Sequence, residues 1–539
     1  MTISLHDRRT VVGIVSVLTV AVVAAGSVAL GARSNASSNV VSGGQATGGR
    51  GTAVLAQPAS TGFTDLPTAP TPTPTPTPDP REAIKNVIIL LADDLDWPTF
   101  DSVPRLAALK EQGVTFTNHT VTDALCCPSR VSLLRGQYVH NHRVVSNMQQ
   151  TGGGFGTYFE NGDEADSLPV WLAAAGTSNG YFGKYLNEYP LGAPTKDWIP
   201  PGWTSWSSPV ATSLFDKSAY SGYRYSMNND GTIKRYGKKA TDYLNDVLNA
   251  AAVSFIGRSP DPFFAVLASY NPHRPFPIAG QHYGTHQNEQ VPRTPSFNAR
   301  GTGEPAWRKD FPIIKPGKVA ELDRTWQRRL RSTESFADSV VVIQEALRQT
   351  GHDKDTLLIV TSDNGFHLGN HRMLRGKRTA YREDAVVPLV MIGPNIPAGV
   401  TVNAMTSMID IAPTVAELLK APTPAWLDGR SLIPLLTGDT TEPWRTAVLS
   451  EAMSDSSPGD PDYDEFQPPR FKALRSQQWL YVRYEDNTIE LYNLVDDPYE
   501  MRNVASSAPA ELLARLKAQT EALARCAGAS CRVADAMPQ

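Results

Sequence analysis

Short apolar runs alternate along this chain with amphipathic stretches of helical length. From Lys85 onward, four runs are continuous and rich in Val, Ile and Leu, as in strands buried on both faces; they are NVIILLADD, FFAVLASY, TLLIVTSDNG and VPLVMIGP. The stretches between them predict helices at 103–112, 167–175, 238–256 and 321–350, with Gly351 as the last C-cap. This alternation predicts an α/β domain with a largely parallel sheet covered by helices on both faces.

After about residue 440 the pattern changes to shorter strand-like segments, AVLSEAM, FKALRSQQWLYVRY and TIELYNLVDD. A helical stretch from about Ala508 to Arg525 follows them. We therefore predict a large α/β domain at 82–440 and a smaller α+β domain with an antiparallel sheet at 441–539.

The N-terminal segment predicts export. Arg8 and Arg9 precede an uncharged run at 11–32, which is long for a signal-peptide core and just long enough to span a bilayer. Residues 1–33 are thus either a cleaved signal peptide or a membrane anchor, and the arginine pair also partly matches a twin-arginine signal. Residues 34–81, which contain TPTPTPTPDP, predict a disordered stalk. An extracellular or cell-surface location follows.

Composition and the four cysteines further limit the functions that the sequence allows. A net charge of -4 with 41% hydrophobic residues does not favour nucleic-acid binding. Cys526 and Cys531 flank a short loop after the last helix and predict a small disulfide in an oxidising compartment. Cys126 and Cys127 are adjacent, and because neighbouring cysteines seldom bridge, they call for another explanation.

Acidic clusters follow two of the predicted strands. The first strand ends in Asp93 and Asp94, and the third ends in Asp363 and Asn364. Parallel sheets place their chemistry at the carboxyl ends of strands. Oxygen ligands without cysteine or histidine favour calcium over zinc. We therefore predict a calcium site built from these four side chains.

The segment ALCCPSRVSLLRG carries the most specific motif. It matches C-x-P-S-R-x-x-L-x-x-G, with its six defined positions at Cys126, Pro128, Ser129, Arg130, Leu133 and Gly136. The chain thereby resembles the type I sulfatases, in which this cysteine is oxidised to Cα-formylglycine. The resemblance implies that modified Cys126 is the nucleophile and contacts the metal, and that a formylglycine-generating enzyme is a partner. Cys127 is expected to stay unmodified, and Arg135 stands where threonine is common.

Three further segments resemble the family residue by residue. Lys184 in GYFGKYLNEY and Lys377 in GKRTAYREDAVVPL match the lysines that bind sulfate oxygens, and His273 in NPHRPF matches the histidine beside the sulfate and leaving group. Arg130 would orient the hydrated formylglycine. Such cations suit the reaction, since attack on a sulfate ester concentrates negative charge on the sulfuryl oxygens.

This chain departs from the family's pattern at one position that bears on proton removal from the hydrated formylglycine. Many sulfatases carry a histidine two positions after the first lysine, whereas this chain has Leu186. The base is therefore unassigned, and His142 and His367 are candidates only. GKYLNEY and the HNH at 140–142 instead resemble the glucosamine-6-sulfatase branch.

The resemblance extends from about Lys85 to the end of the chain. It implies an alkaline-phosphatase-like fold, with a large mixed, mainly parallel sheet between helices and a smaller C-terminal α+β domain. The implied activity is hydrolysis of sulfate esters, on sulfated sugars such as 6-sulfated N-acetylglucosamine or on aryl sulfates. Two alternatives stay open: a formylglycine-dependent phosphodiesterase or phosphonate monoester hydrolase, and a catalytically inactive glycan-binding surface protein.

Overall fold

The computed structural model describes residues 78–214, 216–439, 441–455, 458–460, 462–463 and 468–539. The predicted export segment at 1–33, with its candidate anchor, and residues 34–77 of the predicted stalk lie outside these ranges. The last residues of that stalk, 78–81, are described, and the prediction of disorder is wrong for Pro80 and Arg81, which begin a short helix capped by Asp79. Among the helices that are described, none has the length and apolar character needed to cross a bilayer.

The strands are short and, in the large sheet, mostly buried. They are β1 (Asn86–Ala92), β2 (Val114–Phe116), β3 (His119–Thr120), β4 (Ser178–Gly183), β5 (Ser205–Pro209), β6 (Ser226–Asn229), β7 (Thr232–Arg235), β8 (Phe263–Ala268), β9 (Thr356–Ser362), β10 (Leu389–Ile392), β11 (Val400–Val402), β12 (Thr406–Ser407), β13 (Ala447–Ala452), β14 (Phe471–Ser476), β15 (Trp479–Tyr484) and β16 (Ile489–Asn493).

The helices flank the sheets. They are α1 (Pro80–Ala83), α2 (Trp97–Ser102), α3 (Pro104–Ala107), α4 (Cys126–Arg135), α5 (Val139–His142), α6 (Gly154–Glu160), α7 (Leu168–Ala174), α8 (Leu244–Ile256), α9 (Pro316–Thr350), α10 (Arg382–Ala385), α11 (Ile411–Leu418), α12 (Ile433–Thr437), α13 (Ala510–Leu523) and α14 (Ala529–Asp535).

A ten-stranded mixed sheet forms the centre of the molecule, in the order β11-β2-β10-β9-β1-β8-β4-β5-β6-β7. Its middle strands β9, β1, β8, β4 and β5 run parallel. Strand β1 is buried along its whole length, and its residues alternate between two hydrophobic clusters. One cluster includes Val131 of α4 and Val415 of α11, and the other includes Leu248 of α8 and Leu330 of α9. The predicted sheet with helices on both faces is confirmed.

The second sheet is antiparallel, in the order β13-β14-β15-β16. Leu516 and Leu523 of α13 pack on it in a cluster that also contains Cys526 and Cys531. These two cysteines form the predicted disulfide, with an S–S distance of 1.98 Å. The smaller α+β region therefore has the predicted architecture, while the domain boundaries themselves remain predictions.

Some element boundaries differ from the sequence-based expectation. Helix α9 begins at Pro316, upstream of the predicted start, because proline suits the first turn of a helix, where no intrahelical N–H is needed. Helix α8 begins only at Leu244, since Tyr243 before it is extended. Gly351 caps α9 in the left-handed conformation, as predicted. The fourth predicted strand, β10, runs antiparallel to β9.

The end of β4 requires glycine. Gly183 has φ +125°, and a Cβ there would lie 1.8 Å from the carbonyl oxygen of Ala268 on the neighbouring strand β8. We expect Gly183→Ala to lower the free energy of unfolding by at least about 2 kcal/mol, through steric overlap and backbone strain. Denaturant unfolding checks this, with Gly317→Ala as control because no atom lies within 4 Å of that Cβ. Equal losses in the two variants would contradict the close approach of the strands.

Candidate active site

Strand pairing brings the two acidic clusters together. Strands β1 and β9 are parallel neighbours that end in register, so the residues after them meet. The backbone N–H of Asp94 donates to Asp363 Oδ1 (3.1 Å), and Asn364 Nδ2 donates to Asp94 Oδ1 (2.7 Å). Asp93, Asp94, Asp363 and Asn364 are all buried. The four predicted ligand residues therefore form one group at the carboxyl edge of the sheet.

Cys126 is the first residue of α4 and faces this group. Its thiol donates to Asp93 Oδ1 (3.3 Å), and Lys377 Nζ lies 2.9 Å from its Sγ. Burial raises the pKa of the Cys126 thiol well above its usual value, although Lys184 and Lys377 act in the opposite direction. An unmodified Cys126 is therefore a neutral thiol, which is a poor nucleophile.

Arg130 lies one helical turn after Cys126, on the same face of α4. Its Nε donates to Asp363 Oδ2 (2.7 Å), and its NH1 donates to the carbonyl oxygen of Lys184 (2.6 Å). Burial acts to raise the pKa of Asp363, but Arg130, followed by the two site lysines, overcomes this and brings that pKa to about 2. The Arg130 guanidinium thus keeps a buried carboxylate ionised.

The two predicted lysines each pair with one of the carboxylates that follow β1. Lys184 follows β4, and its Nζ lies 2.7 Å from Asp93 Oδ2. Lys377 Nζ lies 2.6 Å from Asp94 Oδ1. Burial acts to lower the pKa of each lysine, but the neighbouring carboxylates raise it well above its usual value, so both remain charged.

His273 lies between the metal-ligand group and a carboxylate from the C-terminal region. Its Nδ1 donates to the carbonyl oxygen of Arg274 (2.6 Å), and its Nε2 lies 2.7 Å from Asp462 Oδ1 and 3.8 Å from Asp94 Oδ2. Burial acts to lower the pKa of the imidazole, but Asp94 and Asp462 raise it above its usual value. His273 is therefore held in the protonated, donating form.

Asp462 and Asn147 belong to this site, and sequence reasoning missed both. Asp462 lies between β13 and β14, where its Oδ2 is 3.1 Å from Lys377 Nζ and 3.7 Å from Cys126 Sγ. Asn147 Nδ2 donates to the same Oδ2 (2.8 Å). The acidic run around Asp462 is visible in the sequence, but no motif or spacing connects it to Cys126, which lies 336 positions away.

The residues present fit a divalent cation. Asp93, Asp94 and Cys126 each offer a buried ligand atom, and these atoms lie within 4.8 Å of one another. Within the described part of the chain, the buried Oδ1 of Asn364 has no hydrogen-bond partner. Burial also raises the pKa of Asp93, and Lys184 offsets only part of that rise. The unpaired Asn364 oxygen and the incompletely neutralised Asp93 carboxylate are oxygen donors that a calcium ion would coordinate.

The two histidines considered as proton acceptors have other partners. His142 Nε2 pairs with Ser132 Oγ (3.0 Å), and its Nδ1 accepts from the N–H of Val144 (3.1 Å). His367 Nδ1 lies 2.9 Å from Asp384 Oδ2. Leu186 is buried in the hydrophobic cluster on the α4 face of the sheet. The base that would replace the missing histidine remains unassigned.

Comparison with known proteins agrees with this geometry. The sulfatase family model matches residues 85–421, which is more than half of the chain. The chain belongs to the sulfatase family. A second family model, N-sulphoglucosamine sulphohydrolase, C-terminal, matches residues 369–525. The sulfatase described here is accordingly a sulfuric ester hydrolase, as its motifs implied.

Two curated relatives illustrate the similarity. Human N-acetylglucosamine-6-sulfatase is 31% identical over 483 residues, covering 83% of this sulfatase and 86% of the relative. The putative extracellular sulfatase Sulf-1 homolog of Caenorhabditis elegans is 34% identical over 388 residues, covering 68% of this chain and 52% of the relative.

Two solved structures share the fold. BT4656 in complex with its substrate D-glucosamine-2-N,6-O-disulfate aligns with TM-score 0.66 and 20% identity, covering 81% of this chain and 97% of that one. The phosphonate monoester hydrolase of Agrobacterium radiobacter aligns with TM-score 0.62 and 22% identity, covering 81% and 96%. The predicted alkaline-phosphatase-like fold class is confirmed, and at these identities the likeness concerns the fold alone.

The buried pair of Arg130 with Asp363 should be essential for stability. We expect Arg130→Gln to lower the free energy of unfolding by about 3–5 kcal/mol, because it leaves a buried carboxylate without its cation. Denaturant unfolding followed by circular dichroism measures this. Arg81→Gln is the matched control, since its pair with Asp79 is half-exposed and should contribute less than about 1 kcal/mol. Similar losses in both variants would contradict the assignment.

Proposed function

We propose that this sulfatase hydrolyses sulfate esters of sugars with formylglycine at position 126 as nucleophile and a bound calcium ion. The observation that carries the proposal is the convergence of Lys184, Lys377 and His273 on buried Cys126, beside a group of oxygen ligands. A site built only around a cysteine does not require three cations together with a metal-ligand group. A site that binds a sulfate ester does require them, because the ester gains negative charge in the transition state.

The state of Cys126 supports its modification. Its thiol is buried and its pKa is raised, so it lacks the thiolate that cysteine nucleophiles use. Hydrated formylglycine would supply two geminal hydroxyls, one to attack sulfur and one whose deprotonation expels sulfate. A formylglycine-generating enzyme is the implied partner.

The other residues would bind and neutralise the ester. Lys184 and Lys377 are charged and buried, so they would donate to the sulfuryl oxygens. Because the Arg274 carbonyl holds His273 Nδ1, the Nε2 atom faces the site and would hold the proton for the leaving oxygen. Arg130 would keep Asp363 ionised and orient the residue at position 126.

Calcium would be held by Asp93, Asp94, Asp363 and Asn364, together with the modified residue at position 126. It would supply Lewis acidity at the attacking hydroxyl and the sulfuryl oxygens. Oxygen donors predominate in this set, and the orphaned Asn364 Oδ1 supports the choice of calcium.

The substrate proposed is a sulfated sugar, with 6-sulfated N-acetylglucosamine as the leading case and aryl sulfates as simple analogues. Support comes from the identity with N-acetylglucosamine-6-sulfatases and from the GKYLNEY segment around Lys184. The extracellular sulfatase relatives and the N-terminal apolar run support action outside the cytoplasm or at the cell surface. Membrane attachment through residues 11–32 stays a prediction.

The nucleophile is tested by a pair of adjacent cysteines. We expect Cys126→Ala to abolish hydrolysis of an aryl sulfate and Cys127→Ala to retain most of it, because only Cys126 contacts Asp93 and Lys377. Mass spectrometry of the peptide containing both cysteines should show one conversion to formylglycine, at position 126. Full activity of Cys126→Ala, or an active protein with unconverted cysteine, would overturn the mechanism.

The metal is tested by thermal unfolding. Calcium at 100 times its Kd should stabilise the protein by about 2.7 kcal/mol and raise Tm, while a chelator should reverse the effect. Asn364→Ala should reduce the rise because it removes one ligand. Asp261→Asn, in a surface group with His352 and Asp355, should keep it. A calcium response that is the same in Asn364→Ala and wild type would rule out the site.

The reaction class is tested with matched aryl esters. We expect kcat/KM for an aryl sulfate to exceed that for the corresponding phosphate diester and phosphonate monoester, and 6-sulfated N-acetylglucosamine to release sulfate. Faster turnover of the phosphonate would favour the phosphonate hydrolase alternative. Glycan binding without any turnover, with Cys126 unconverted, would favour the inactive binding protein.

A further inference from the structure

The carboxylate of Asp462 lies between His273, Lys377 and Cys126, in the space that we call the anion pocket. Its side chain is only 6% exposed. One oxygen is 2.7 Å from His273 Nε2, and the other is 3.1 Å from Lys377 Nζ and 3.7 Å from Cys126 Sγ. No sulfuryl group fits between this carboxylate and Cys126 without displacing it.

A network of hydrogen bonds holds Asp462 in this position. Asn147 Nδ2 donates to Asp462 Oδ2 (2.8 Å) and to Asp460 Oδ1 (3.2 Å), and the backbone N–H of Asp462 donates to Asp460 Oδ1 (2.9 Å). Asn147 Oδ1 in turn accepts from the N–H of Cys127 on α4 (3.0 Å). Asp460 and Asp462 are thereby tied through Asn147 to the helix that carries Cys126.

Asp462 uses the donors that a substrate needs. A sulfate monoester is a monoanion with several acceptor oxygens, and a carboxylate is a monoanion with two. Under the proposed function, Lys377 Nζ and His273 Nε2 bind the sulfuryl and leaving oxygens. We propose that Asp462 is a specificity-determining residue: an internal anion that competes with the sulfuryl group of the substrate for Lys377 and His273.

Two consequences follow for selectivity. A sugar sulfate brings contacts beyond the sulfuryl group that offset the cost of displacing Asp462, whereas the product sulfate brings none, so Asp462 keeps the product weakly bound. The extra negative charge also disfavours a phosphate monoester dianion more than a sulfate monoester monoanion, because Coulomb energy scales with ligand charge.

Binding of inorganic sulfate tests the proposal. Titration calorimetry compares the calcium-loaded full-length wild type with Asp462→Asn and Asp455→Asn, after mass spectrometry has shown the same state at position 126 in all three. We expect Asp462→Asn to bind sulfate about tenfold more tightly, since a neutral amide no longer neutralises the two cations. Asp455 lies before β14 with its side chain 77% exposed, so Asp455→Asn should match the wild type.

A gain of affinity is a result that simple loss of structure does not produce. Unchanged or weaker sulfate binding by Asp462→Asn would overturn the proposal. In kinetic assays, Asp462→Asn should lower KM for an aryl sulfate. It should also increase kcat/KM for an aryl phosphate relative to kcat/KM for the matching aryl sulfate. If this relative value stays constant or falls, the charge argument is refuted. If the wild type turns over no aryl sulfate, the proposed function fails, while the sulfate titration still decides the role of Asp462.

Discussion

Charge compensation at the ends of β1 and β9 is the constraint on which the rest of the site depends. Asp93, Asp94 and Asp363 are removed from water, and a buried carboxylate is costly unless a cation lies beside it. Lys184, Lys377 and Arg130 supply these cations at 2.6–2.7 Å. Each cation comes from a different part of the chain, so the site forms only when α4, the end of β4 and the segment before α10 pack together.

This compensation also prepares the chemistry that we propose. Buried lysines that stay charged would bind a sulfuryl group once it has displaced Asp462, and their fixed positive charge is a form of electrostatic preorganisation. Burial raises the pKa of the Cys126 thiol, although the two lysines act in the opposite direction, so the unmodified residue is a neutral thiol. Burial therefore both requires the cations beside the carboxylates and keeps the thiol neutral, and the second effect supports the modification that we propose.

The C-terminal sheet contributes to the site as well as to the core. The backbone N–H of Glu451 in β13 donates to the carbonyl oxygen of Thr122, and the Glu451 carboxylate pairs with His140. These contacts hold both ends of the chain segment that contains α4. Beyond β13, Asp462 reaches the anion pocket. A region predicted as a separate small domain thus supplies a residue of the pocket.

The sequence by itself determined the parts that depend on local pattern. Continuous apolar runs predicted the buried strands, and strand ends predicted where Asp93 and Asp363 would meet, because parallel neighbours end at the same edge. Motif register singled out Cys126, Lys184, His273 and Lys377. Only the tertiary structure decided the antiparallel direction of β10 and the presence of Asp462 and Asn147 in the pocket. These depend on tertiary pairings, such as that of β10 with β9 and that of Asn147 with Asp462, 315 positions apart, for which no local periodicity or spacing exists to be read.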